Sequence, residues 1–138
     1  LSTEREALDQ RALTELYDQF HRFNSDLKAL ITAWQMKAPD VPNDHTDAEY
    51  DRQIVERLAS LHDEFVPWLD GLVAVNNRMA RYPGRFHTAL AAVHAGDHSF
   101  ITKPLADSYH TVWFELHEEL IGMLGRDRES EAAAGRAV

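Results

Sequence analysis

The sequence predicts an all-α protein, an up-and-down antiparallel bundle of four main helices with a long first helix. Three observations carry that expectation. Apolar residues recur every three or four positions in separate stretches, the period of helices that bury one face. Segments bearing proline and glycine separate those stretches. No segment shows the clean two-residue alternation of a half-buried strand.

The first helix opens where Thr3 and Glu6 form a capping box, whose two side chains satisfy backbone donors at a helix start. Its seam then runs Leu13, Tyr17, Phe20, Asn24, Leu27, Ile31 and Trp34, in steps of three and four. Unbroken from Glu4 to Lys37, it would be on the order of 50 Å long, the length of a bundle rod. Pro39 and Pro42 end it. Thr46 and Glu49 form a second capping box, opening a helix striped by Tyr50, Ile54, Leu58, Leu61 and Phe65. Pro67 should kink or end that helix, because its ring removes a backbone donor and crowds the preceding turn.

A short apolar piece from Trp68 to Val75 then leads to Tyr82-Pro83-Gly84, where a third helix can begin, ending near Gly96. The last helix follows Pro104, places Leu105, Tyr109, Val112, Leu116 and Leu120 on one stripe, and stops at Gly125. Residues 1–125 therefore read as one bundle domain, and 126–138 as a frayed polar tail.

With 138 residues the chain suffices for one core and not two. It opens without methionine, as a piece of a longer protein would. The absence of cysteine excludes disulfide frameworks and thiol chemistry, so a metal would need His, Asp or Glu. A formal net charge of -9 argues against direct contact with nucleic acid, whose grip depends on Lys and Arg at phosphates. No membrane span or signal peptide is visible, and the default expectation is a cytoplasmic protein.

The segment from Asp107 to Leu124 is the densest in chemistry. His110 and His117 lie two helical turns apart and flank Trp113 and Phe114, positions expected to face the core. Tyr17, Asn24, Trp34, Tyr109, His110, Trp113 and His117 are the candidate lining of a pocket between the first, third and last helices. The plainer reading makes the aromatics core and Asn24 a register-setting amide. His87, His94 and His98 would lie along one edge of the third helix if it ran past Gly96. His87 and His94, joined by Asp107 and His110, could hold a divalent transition metal, since bundle cores gather such ligands from facing helices. His21, His45 and His62 are weaker candidates. Neither H-E-x-x-H nor paired E-x-x-H is present. There is also no nucleophile elbow, glycine-rich oxyanion turn or phosphate loop, so the chain is expected to bind rather than catalyse.

The strings AWQ at 33–35, NDHTDAEYD at 43–51 and DSYHTVWFELHEEL at 107–120 resemble a helical C-terminal domain of actinobacterial winged-helix proteins. Those proteins are described as transcriptional regulators, and some carry a phosphoenolpyruvate-utilising swivelling domain. The likeness spans most of residues 8–125 and implies no particular ligand. YDQFH at 17–21 and HTALAAVHAGD at 87–97 resemble the ligand-sensing domain of GntR-type regulators, where an aspartate and three histidines hold a metal beside an organic acid. That likeness would assign Asp18, His21, His87 and His110. Its spacing departs at Asp18 and His21, three apart rather than four, and Pro104 interrupts a helix that is continuous in that family. Together these features imply an effector-sensing or dimerisation domain of a bacterial transcriptional regulator, taking a small-molecule effector and pairing as a homodimer. The alternative is a metal-binding bundle, regulatory or catalytic. A third class, a pure interaction module, would turn its apolar stripes into a dimer interface.

Overall fold

The computed structural model describes residues 2–125, with side chains from residue 7 onward. The cap expected from the Thr3 and Glu6 side chains and the tail expected over 126–138 fall outside the described residues. Four helices form the bundle: α1 (Ser2–Gln35), α2 (Ala48–Val75), α3 (Tyr82–His94) and α4 (Tyr109–Met123). The seam read on α1 is buried at every position from Leu13 to Trp34.

Cross-helix hydrogen bonds fix the helix directions. Trp68 donates to the Leu16 carbonyl and Tyr50 to the Ala33 carbonyl, so α1 and α2 run antiparallel. Gln10 reaches Met123 while Asn24 pairs with Trp113, so α1 and α4 also oppose one another. Tyr82 donates to Glu119, and Arg85 donates to both Glu115 and Asp107, which clamps α3 antiparallel to α4. Burial raises the Tyr82 phenol to about 12, with the neighbouring Glu119 adding to the effect, so it remains a donor.

The centre is aromatic. Phe65 of α2 lies 4.4 Å from Trp113, 5.2 Å from Trp68 and 5.3 Å from Phe86, drawing α3 and α4 onto α2. Each such side chain contributes roughly 1.5–3 kcal/mol on burial.

Five local expectations are corrected. Helix α2 continues through Pro67, whose ring lies on the exposed face. An interior proline costs about 3 kcal/mol, and burial of Phe65, Trp68, Leu69 and Leu72 around it offsets that cost. The cap of α2 is Asp47, which accepts from the Tyr50 amide at 3.1 Å. Thr46 instead donates from amide and hydroxyl to Asp44. The Pro39 segment is a two-strand hairpin, β1 (Met36–Ala38) against β2 (Val41–Pro42), turned at Asp40 in the left-handed region with φ 64°. Leu105 is fully exposed outside α4, with φ 60°, and the helix starts at its Ser108 cap. Phe114 faces outward, 43% exposed, since it is one residue, about 100° of helix, past buried Trp113.

Candidate ligand-binding site

The sequence-predicted pocket residues divide among three places: the bundle interior, the end of α1 where Trp34 lies, and the half-buried start of α4 at His110. Tyr17, Asn24, Tyr109, Trp113 and His117 are all buried inside the bundle and pack against one another or their neighbours. Trp113 donates its indole N–H to Asn24 Oδ1 at 3.0 Å, so the amide in the α1 seam has a specific partner on α4. The Tyr17 hydroxyl lies 3.5 Å from His117 Nε2, and Phe20 packs 5.0 Å from the same imidazole. Tyr109 lies 2.8 Å from Nδ1 of buried His62.

Burial pushes the Tyr109 phenol up. Burial likewise pulls His62 down; Asp63 opposes this, and His87 and His94 reinforce it. Both groups are therefore neutral, and the phenol and the imidazole share one buried hydrogen bond. These pairs satisfy polar atoms inside a close-packed core. The principal surface hollows are lined by other residues.

The expected metal set does not converge. Among the described residues, no three His, Asp or Glu side chains are grouped so as to hold a metal ion. Asp107 is bound by Arg85 at 3.0 and 3.2 Å, and that guanidinium holds its carboxyl below the ordinary range. His87 and His94 are exposed on α3. His110 is half-buried on α4, and loss of water lowers its pKa. Helix α3 ends at His94, with Gly96 turning the chain at φ 106°, so His98 leaves the edge expected for it and enters a 3-10 turn, His98–Ile101.

That displacement carries His98 into the most site-like feature of the surface. At one end of the bundle, Trp34, His45, Ala48, Asp51, His98, Ser99 and Thr102 line a half-open cavity of about 530 Å³. A hollow of that size suits a small molecule. Trp34, in the last turn of α1, has His45 at 4.5 Å and His98 edge-on at 5.7 Å, between ring centroids.

Local hydrogen bonds build this cluster. The Asn43 amide donates to the Gln35 carbonyl, and its side-chain nitrogen to the Trp34 carbonyl at 2.9 Å, so the loop is stapled to two carbonyls at the end of α1. That same side chain donates to Asp51 Oδ1 at 2.8 Å and accepts from the His45 amide. Asp51 Oδ2 then accepts from His45 Nδ1 at 2.9 Å. A side chain only 8% exposed thus anchors one that is 46% exposed. His45 has φ 60°, a left-handed conformation costly for a residue with a Cβ, and the Asn43 and Asp51 contacts hold it there.

Of the seven residues expected to line a pocket, Trp34 alone reaches this cavity. Asn43, Asp51, Ser99 and Thr102 were missed, and His45 and His98 were placed elsewhere or ranked low. The legible signals were the density of Asn, Asp, His and Thr between Pro42 and Ala48, where such side chains bond their own loop, and Gly96 as a helix stop.

Compared with family models, curated proteins and solved structures, the chain matches none of them.

Proposed function

We propose that this chain is the effector-sensing domain of a bacterial transcriptional regulator, and that the effector enters the cavity at the Trp34 end of the bundle. The observation that carries the binding half is the His45 imidazole, strained in backbone and fixed by buried Asp51, beside two further aromatic rings in an open hollow. A surface histidine without a task needs neither the strain nor the buried anchor. The regulatory half rests on the likeness of the 33–35, 43–51 and 107–120 strings to domains of winged-helix regulators. Two of those strings contribute Trp34, Asn43, His45 and Asp51 to the cluster. The net charge of -9 is consistent with a domain that leaves DNA contact to another part of a protein. A homodimer belongs to the same reading, and sedimentation velocity tests it.

The binding half is tested by ligand-observed NMR with a set of neutral, anionic and cationic aromatic compounds. The expected result is binding that is lost in a His45→Ala, His98→Ala double variant and kept in Tyr17→Phe. Binding that survives the double variant and fails in Tyr17→Phe would move the site into the bundle interior.

A further inference from the structure

The lining of the end cavity also selects a class of molecule. This step rests on the cavity being the effector site.

Both oxygens of Asp51 are committed inside the protein, Oδ1 to Asn43 and Oδ2 to His45, so the carboxylate orients the imidazole rather than greeting a ligand. A carboxylate only accepts, which puts the imidazole proton on Nδ1. In the neutral ring Nε2 is then an acceptor. Nε2 has no hydrogen-bond partner among the described residues and His45 lines the cavity, so the neutral ring would offer an acceptor beside a cluster of rings.

Charge narrows the choice. Among the described residues, no Lys or Arg lines the hollow. Lys37, on the hairpin, is 3.6 Å from Asp47 and lies over the Tyr50 ring, while Lys103 lies over Phe100. The lining residues are flanked in the chain by Asp44, Asp47 and Asp97, the last of which accepts from Ser99 at 2.5 Å. An anion would enter a lining without a lysine or arginine counter-charge, beside segments rich in aspartate. We propose that the cavity takes an uncharged aromatic molecule bearing a hydroxyl, a phenol-type ligand whose ring packs on Trp34, His45 and His98 and whose hydroxyl donates to His45 Nε2.

Three naphthalenes of matched size separate the possibilities by isothermal titration calorimetry: 2-naphthol, 2-methoxynaphthalene, which lacks the donor, and 2-naphthoate, which carries the charge. The expected order places naphthol about fivefold tighter than the methyl ether, the worth of one net hydrogen bond, with naphthoate weakest. In His45→Phe, which keeps a ring against Trp34 and removes the acceptor, naphthol should fall to the level of the ether. Naphthoate binding tightest, or all three binding alike, would overturn the ligand class while leaving the cavity as the site. No binding by any of the three, with the Trp34 indole resonance unmoved, would overturn both. The comparison within the unaltered protein stands even if His45→Phe folds poorly.

Discussion

The bundle interior and the Trp34 end use the same residue types for different purposes. Inside, His117 meets Tyr17, His62 meets Tyr109 and Asn24 meets Trp113, each pair buried within the bundle. At the end, half-exposed His45 and His98 meet buried Trp34 around an open hollow, with Asp51 and Asn43 also buried there. Histidines and aromatics do not announce a site. The distinguishing feature is an oriented polar atom left facing space, supported from behind by satisfied buried groups.

The comparison can be broken hardest in the interior. Trp113→Ala removes a ring at the meeting point of α1, α2, α3 and α4 and orphans Asn24, and should cost about 3–5 kcal/mol of stability in denaturant unfolding. Asp51→Ala should cost less, about 1–3 kcal/mol, by stranding the Asn43 amide, and should also release His45 and weaken binding at the end cavity. A loss of stability with unchanged ligand affinity would show that His45 needs no anchor. Tyr109→Phe should cost about 1–2 kcal/mol by leaving buried His62 Nδ1 unpaired, and should leave ligand affinity alone.

The pH dependence of stability sharpens the contrast further. Burial depresses the folded pKa of His62 below its ordinary value of 6.5, so the unfolded chain takes up a proton that the folded chain refuses. The His62 contribution is therefore intact above 6.5 and is lost as pH falls from there toward the depressed folded value. Unfolding measured between about pH 8 and about pH 5 should show stability falling toward acid, with a shallower slope in His62→Gln. An equal slope in the variant would assign the effect elsewhere. The smallest change expected is at the surface: Arg85→Ala, which breaks partly exposed pairs with Asp107 and Glu115, should cost about 1 kcal/mol or less.

Much of the fold was legible because helical period is a local property. The α1 seam could be read residue by residue from Leu13 to Trp34, and so could Tyr82-Pro83-Gly84 as the start of α3. Pro67 misled because local chemistry argues for a break, while packing on the opposite face decides the outcome. The candidate site was far less legible. It joins Trp34, the 43–51 segment and the 98–102 turn, pieces whose meeting depends on how two loops fold back over one end of the bundle. No spacing along the chain encodes that. The edge position considered for His98 required α3 to run past Gly96, and the helix stops at His94, so His98 lies elsewhere.

The three tryptophans offer the most direct test of the division between core and site. Trp113 and Trp68 donate their indole N–H groups inside the structure, to Asn24 and to the Leu16 carbonyl, whereas Trp34 sits under the cavity. In a 15N-edited spectrum each indole gives its own signal, so 2-naphthol can be titrated in and the three followed together. The account predicts that the Trp34 signal moves with saturation while Trp113 stays still. A Trp113 signal that shifts while Trp34 does not would contradict it and place the ligand among Tyr17, Asn24 and His117.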